Sequence, residues 1–439
     1  MERTDRAGIL PSVGQPGGLG PIRRIAILSV HTCPLAVLGG KKTGGMNVYV
    51  REIAREFSRR GIKVDVFTRS QDPCEPHIQE GLGLNARVIH IPTGPEIALN
   101  PEDVYPYLPQ FVENVKAFAR LEGAHYDLIY SHYWLSGVAA HELREAWGAP
   151  VVQMFHTLGR MKDRIANKPQ QYNTRDLNET DIMSWADALI AATPAERAQM
   201  LWLYHARRHQ IEIIPPGVDL THFEPRPIAR ARAQVGLAPD QKMLLFVGRI
   251  EPLKAVDTIF DALSLLKTSR PALLDRLVVN IVGGDPNDLS AENGEMERLK
   301  ALRANLGLEQ VVAFLGAKDQ TSLTGYYSAA EALIMPSDYE SFGMVALEAM
   351  ACGTPVIASE VGGLAFLVSD GANGYHVPVR EPGALAERIE RLLTTPGERD
   401  RLAAGAIETA QAYSWEAIAD RLLKVFEGVI EKKRAAMQG

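Results

Sequence analysis

At 439 residues the chain is long for a single hydrophobic core and suits two domains. Hydrophobic residues make up 46% and charged residues 23%, which excludes a disordered or low-complexity protein. A formal net charge of -6 argues against a nucleic-acid partner, because such proteins carry a basic excess. Cys33, Cys74 and Cys352 show no Cys-x-x-Cys spacing. They support neither a metal site nor a disulfide framework, and free thiols fit a cytoplasmic location.

Residues 1–20 are rich in Gly and Pro and lack an apolar signal core, so they read as a disordered leader. Residues 22–30 (IRRIAILSV) are a compact apolar run, as expected of a buried strand. A glycine-rich loop follows, then a helix over 48–61. Residues 63–70, 86–92, 126–132 and 149–156 predict further strands, with a helix over 104–123. This alternation implies a parallel sheet covered by helices. At Pro215, Pro216 and Gly217 the rhythm breaks, which marks a linker. Strand patterns restart at 242–250, 276–284, 311–316, 332–337 and 355–359, and the chain closes on an amphipathic helix over 414–433. The expected domains are an N-terminal domain over 21–215, completed by the helix at 415–439, and a C-terminal domain over 216–414. No apolar run is long enough to span a membrane. Assembly into a homo-oligomer is left open.

Ligands of parallel α/β sheets bind beyond the carboxyl ends of the strands, and several polar motifs fall there. In PSDYESFGMVALEAM (336–350), Glu340 and Glu348 flank a Ser-Phe-Gly turn that opens an apolar helix. A helix start offers free N–H groups and a positive dipole end to a phosphate, and the carboxylates can accept hydrogen bonds from hydroxyls. Phosphate beside hydroxyls points to a nucleotide sugar. Arg249 and Lys254 close the first strand of the second domain. They could neutralise a leaving diphosphate, although two solvated surface charges would give the same pattern. The run from Gly39 to Asn47 lets a phosphate approach the backbone, but it is neither a GxGxxG nor a P-loop pattern. His156, Thr157, Arg160 and Lys162 follow one strand end, and His132, Tyr133 and Trp134 another. GTPVIAS (353–359) with Gly362 and Gly363 reads either as turn chemistry or as a cleft wall near Glu348. No nucleophile elbow or metal-binding helix is present.

Taken together, Glu340-x7-Glu348, GRIEPLK (248–254), GGMNVYV (44–50) and IPPGVDLTHF (214–223) resemble the GT4 family of retaining glycosyltransferases. The resemblance runs from Ile22 to the last helix. It implies the GT-B fold: two Rossmann-like parallel-sheet domains facing across a cleft, with a C-terminal helix crossing back to the first. Within the family, SVHTCPL, TGGMNVYV and YDLIYSHYWLSG are similar to enzymes that transfer N-acetylglucosamine to inositol phosphate. HTLGRMK (156–162) is similar to a segment of sucrose-phosphate synthases. Both use a UDP-sugar and a phosphorylated acceptor.

The resemblance assigns roles. Arg249 and Lys254 would hold the donor diphosphate, Glu348 the ribose and Glu340 the sugar hydroxyls. Phe342, Gly343, Met344 and Val345 would lie along sugar and phosphates, with Gly45 approaching from the first domain and Thr354 supporting the site. His156 would contact the sugar near the reacting carbon. Arg249, Lys254, Glu340 and His156 are thus the expected catalytic set. His31, Asn47, Tyr133, Thr157 and Arg175 match acceptor-binding positions. The loop GPEIALNPEDVYPYL (94–108) carries no Lys or Arg, whereas the inositol-phosphate enzymes grip the acceptor phosphate there with a lysine. Arg160, Lys162 or Arg175 could serve a differently placed phosphate. The expectation is therefore transfer from UDP-glucose to fructose 6-phosphate, as in sucrose biosynthesis, with no metal and no cofactor beyond the nucleotide sugar. The alternatives are transfer from UDP-N-acetylglucosamine to inositol phosphate and a non-catalytic nucleotide-sugar binder.

Overall fold

The computed structural model describes residues 22–36, 44–165, 173–285 and 294–438. The leader at 1–20 and the loop residues 39–43 lie outside them. Two sheets organise the chain. The first has eight strands: β1 (Arg24–Leu28), β2 (Lys63–Arg69), β3 (Ile78–Glu80), β4 (Ala86–Ile91), β5 (Leu128–His132), β6 (Val151–Met154), β7 (Ala188–Ala191) and β8 (Ile211–Ile213). They lie in the order β3-β4-β2-β1-β5-β6-β7-β8. The second has six: β9 (Lys242–Val247), β10 (Leu277–Val282), β11 (Val312–Gly316), β12 (Ala332–Met335), β13 (Val356–Ser359) and β14 (Gly374–Val377), in the order β11-β10-β9-β12-β13-β14. This is the GT-B fold.

The apolar runs are continuous because the strands are buried on both faces. In β1, Ile25 and Ile27 enter one cluster while Ala26 and Leu28 enter the cluster on the opposite face. In β9, Met243 and Leu245 face one way, and Leu244 and Phe246 the other.

The structure departs from the sequence expectation in four places. Strand β3 pairs antiparallel with β4, so the first sheet is mixed. Its short, partly exposed sequence carries no strand signal. Residues 211–213, where no strand was expected, form β8 before the prolines turn the chain. Strands β7 and β14 were not expected: ALIA sits in an alanine-rich, helix-like stretch, and GYHV opens on glycine and carries a histidine.

The chain passes twice between the sheets, and the two passages lie side by side. Val218 N–H donates to the Tyr413 carbonyl at 2.8 Å, and Arg421 reaches the Ile213 carbonyl at 2.6 Å. The last helix, Trp415–Gln438, then returns to the first domain. There Phe426 meets Phe57 and Tyr130, with ring centroids 5.7 and 5.1 Å apart, and Arg60 pairs with Asp420 at 2.7 Å. Ile418, Leu422 and Phe426 join one buried cluster with faces of both sheets. Gly217 has no room for a side chain: a Cβ there would lie 2.8 Å from the Trp415 ring and 3.0 Å from its Cα. Gly217→Ala should therefore cost about 1–3 kcal/mol of stability through overpacking, read as a lowered thermal midpoint. An unchanged midpoint would show that the crossing is loose.

Candidate active site

The second domain contributes a wall built at the ends of β9 and β12. After β9 the chain runs through Arg249 into the short turn Pro252–Lys254. After β12 it runs through Glu340 into the helix Met344–Ala351. The Asp338 N–H donates to the Leu253 carbonyl at 2.9 Å, joining the two loops. Lys254 Nζ then meets Glu340 Oε2 at 2.5 Å, with both side chains largely buried. Arg249 pairs with Glu251 at 2.5 Å, but its side chain is 54% exposed, so that pairing is easily exchanged.

Gly343, in the left-handed conformation at φ 101°, starts the helix, and no side chain caps it. The first-turn N–H groups precede any helical carbonyl acceptor, so they suit an anion. Phe342 is buried behind this turn, while Met344 and Val345 are half-buried. The glycine pair at 362–363 proves to be a matter of close approach. A Cβ on Gly362 would overlap the Glu340 carbonyl oxygen at 1.8 Å, and one on Gly363 would sit 2.2 Å from Phe342 Cα. The Gly363 N–H donates to that same Glu340 carbonyl at 2.9 Å. The backbone that carries Glu340 is thus held by the loop after β13.

From the first domain, the helix Gly45–Arg59 brings its own start to this wall, and a Cβ on Gly45 would lie 3.0 Å from Met344 Sδ. Two helix starts, one from each domain, meet here. Glu348, one turn further on, is buried, and its Oε2 accepts from the Tyr327 hydroxyl at 2.8 Å. Burial pushes its carboxyl up to about 7, against the opposing pull of the Tyr327 hydrogen bond and of Arg51. It lines a cavity of about 260 Å³ with Arg51, Asp219, His222, Gln320 and Trp415. Arg51 also spans the domains, donating to Gln320 Oε1 at 2.8 Å. Thr354 stands behind the wall. It is fully buried and its hydroxyl donates to the Tyr327 carbonyl, so it braces the residue that holds Glu348.

The opposite wall forms at the ends of β5 and β6. Tyr133 and His156 both adopt positive φ, 72° and 62°, which is rare for residues with a Cβ and concentrates at functional sites. His132 Nδ1 and His156 Nε2 lie 2.9 Å apart, and His132 Nε2 is buried with no partner among the described residues. The arrangement that buries no bare N–H puts the proton of His132 on Nδ1, donating to His156. His156 then carries its own proton on Nδ1. Burial, with His31 nearby, pushes His156 down to about 3, so it acts as a neutral hydrogen-bond donor. Tyr49, from the first helix, packs edge-on against both rings. His31 lies against the Tyr133 ring, with centroids 4.5 Å apart.

Arg175 organises this wall. Nε donates to the fully buried Glu179 at 2.6 Å, Nη1 to the Tyr133 hydroxyl at 3.1 Å, and Nη2 to the Thr157 carbonyl at 2.6 Å. Glu179 in turn accepts from the Gly159 N–H and the Tyr204 hydroxyl. Arg175 thus positions Tyr133 and Thr157 through bonds inside the protein.

Two expectations change. Arg160 was expected to face an acceptor phosphate, but its guanidinium is committed to Thr180, the Leu203 carbonyl and the Tyr204 ring. Asn47 was expected to bind the acceptor, but its side chain bonds Thr32, the Cys33 carbonyl and the Gly44 N–H, clamping the loop after β1 to the first helix. The Lys162 side chain lies outside the described residues. Tyr49, Glu179 and Tyr327 were missed. Each supports another site residue from within the core, where sequence alone shows only an ordinary aromatic or an acidic helix residue.

Two α/β domains, with an uncapped helix start beside the carboxylates of Glu340 and Glu348, have the architecture of nucleotide-sugar transferases. Residues 44–217 match the glycosyl transferase 4-like domain, and residues 227–409 match glycosyl transferases group 1. The chain is 41% identical over 411 residues to a D-inositol 3-phosphate glycosyltransferase of Actinosynnema mirum, covering 92% of this chain and 97% of that one. It is 39% identical to the similarly named enzyme of Thermomonospora curvata, covering 95% and 98%. Among solved structures, a sucrose-phosphate synthase from Thermosynechococcus elongatus superposes with a TM-score of 0.85 at 36% identity, covering 93% of this chain and all of that one. Anabaena HepE, solved with UDP and glucose, shares the fold at a TM-score of 0.71 and 21% identity, covering 92% of this chain and all of that one. The protein belongs to the GT4 family of glycosyltransferases and is an enzyme that transfers a sugar from a nucleotide sugar. No helix among the described residues is long and apolar enough to cross a membrane.

If Glu348 accepts hydrogen bonds from the nucleotide, its ionised form is the competent one. The donor KM should then rise as pH falls through about 7, and Glu348→Gln should raise the donor KM and flatten that dependence. Donor-saturation curves at several pH values check this; a flat wild-type profile would contradict it.

Proposed function

We propose that the protein transfers glucose from UDP-glucose, with retention of configuration, to a phosphorylated small acceptor, with fructose 6-phosphate as the first candidate. The observation that carries the donor half is the meeting of two helix starts beside Lys254 and Glu340. In the proposed pose the diphosphate lies at these helix starts. It takes over Lys254 and Arg249 from their glutamate partners and frees Glu340 for sugar hydroxyls. Glu348 holds the ribose. His156 donates its Nδ1 proton to a sugar hydroxyl near the reacting carbon.

The reaction needs little covalent chemistry from the protein. The bond between the sugar carbon and the diphosphate loosens, and the two cations and helix dipoles stabilise the departing charge. The acceptor hydroxyl enters on the same face, and its proton passes to the departing phosphate oxygen. Domain closure about the two crossings excludes water that would otherwise hydrolyse the donor.

Support for fructose 6-phosphate comes from the HTLGRMK segment (156–162), whose Thr157 and Gly159 are bonded to Arg175 and Glu179. It comes also from the loop after β4, which carries no cation over residues 94–100. Arg69, at the end of β2, donates to the Pro95 and Ile97 carbonyls of that loop and is itself buried. Transfer to inositol 3-phosphate is the second reading, favoured by the names of relatives about 40% identical. Arg249→Ala and Lys254→Ala should each lower turnover by about two to three powers of ten, with the fold retained. Near-normal turnover in both would remove the leaving-group role. Assaying UDP-glucose and UDP-N-acetylglucosamine against both acceptors separates the readings: a glucosyl product from fructose 6-phosphate supports the first, and an N-acetylglucosaminyl inositol phosphate supports the second.

A further inference from the structure

Strand β7 lies beside β6, and its carboxyl end leads into the helix Pro194–Tyr204. Thr193 caps that helix, its Oγ1 accepting from the Glu196 N–H at 3.0 Å. Glu196 folds back, and its Oε2 accepts from the Ala192 N–H at 2.6 Å. This accounts for one carboxyl oxygen. The other, Oε1, is buried and has no hydrogen-bond partner among the described residues, in a residue only 4% exposed.

A carboxyl oxygen left bare in an apolar setting is costly, and capping alone does not require one. An amide at this position would satisfy the Ala192 N–H without burying a charge. The surroundings point to the cleft. The adjacent strand β6 leads, two residues past its end, to His156 and Thr157. The charge of Glu196 acts on Tyr49 of the first helix and on Tyr339, which precedes Glu340 in the opposite domain. Glu196 thus follows the carboxyl end of β7, beside the strand that leads to His156, and within electrostatic reach of the residue before Glu340.

We propose that Oε1 of Glu196 accepts a hydrogen bond from a hydroxyl of the acceptor and so orients it toward the donor. This rests on the transferase reading above and adds a residue to its acceptor side. A polyhydroxylated acceptor, sugar or cyclitol, supplies such a donor group; an acceptor reduced to a lone phosphate would not. Burial, and less strongly Glu179, push the Glu196 carboxyl up to about 7, while the Ala192 N–H pulls it down. The groups bearing on it are Glu179 and the Tyr49 and Tyr339 phenols. Because the ionised form accepts the bond, acceptor affinity should fall as pH drops through about 7.

The test is steady-state kinetics of the full chain with UDP-glucose and fructose 6-phosphate, and with inositol 3-phosphate as the second acceptor, between pH 6.5 and 8.5. Glu196→Gln retains an oxygen for the Ala192 N–H. It should raise the acceptor KM about ten- to a hundredfold, judged by the usual worth of a hydrogen bond to a charged group. It should leave UDP affinity and donor KM unchanged and abolish the pH dependence of the acceptor KM. An acceptor KM and pH profile equal to wild type would overturn the proposal and leave Glu196 a helix cap serviced by water. Should the variant lose UDP binding through misfolding, the wild type alone decides: an acceptor KM that does not change between pH 8.5 and 6.5 overturns it. Failure of the wild type to glycosylate either acceptor would overturn the transferase reading, and this assignment with it. Turnover by the wild type with an unaffected variant overturns the assignment alone.

Discussion

Everything in the site depends on how two sheets are held at a fixed spacing, and that constraint is concentrated at Trp415. The ring presses on Gly217 in the neighbouring crossing and packs edge-on against Tyr49, with centroids 5.5 Å apart. Tyr49 in turn packs against His132 and His156 and shares a hydrogen bond with Tyr130. The hinge and the acceptor wall are therefore one aromatic stack. Trp415 thus reaches, through Tyr49, the residue nearest the reacting carbon in the proposed pose.

The two walls solve different electrostatic problems. In the proposed pose the donor wall receives a diphosphate, and its cations otherwise rest beside glutamates, Lys254 on Glu340 and Arg249 on Glu251. In the proposed pose the acceptor wall orients hydroxyls with neutral histidines, an ion pair that cancels internally and the single carboxylate of Glu196. Burial keeps His132 and His156 uncharged, and the Arg175–Glu179 pair cancels within the protein. Strained backbone at Tyr133 and His156 is held by that same ion pair, whose bonds reach Tyr133 and Thr157 directly. Such a wall discriminates by shape and hydrogen-bond direction more than by charge, as a choice between a ketose phosphate and a cyclitol phosphate requires.

The sequence carried most of the fold. Long, doubly buried strands such as β1 and β9 show as unbroken apolar runs, and the prolines at 215 and 216 stand where the chain leaves the first sheet. Short strands β7 and β14 were invisible because ALIA merges with the alanine-rich, helix-like sequence around it, and GYHV opens on glycine and carries a histidine. The donor wall was legible because its residues lie in contiguous motifs around strand ends. The acceptor wall was less so. Arg160 and Asn47 stand in the right segments, yet their side chains turn to internal partners, and sequence spacing does not report side-chain direction. Glu196 did leave a trace: Thr193-Pro-Ala-Glu196 is a helix-capping pattern, and it follows a strand end. What the pattern could not show is that one of its oxygens would be left over.

The most direct test of the central claim, that one donor site is shared by both domains, is the crystal structure of the protein with UDP-glucose bound. The account predicts diphosphate oxygens within hydrogen-bonding distance of the first N–H groups of the helix Met344–Ala351 and of Lys254, with Gly45 packed against them and the ribose on Glu348. A diphosphate bound away from both helix starts, with the Lys254–Glu340 pair undisturbed, would contradict it.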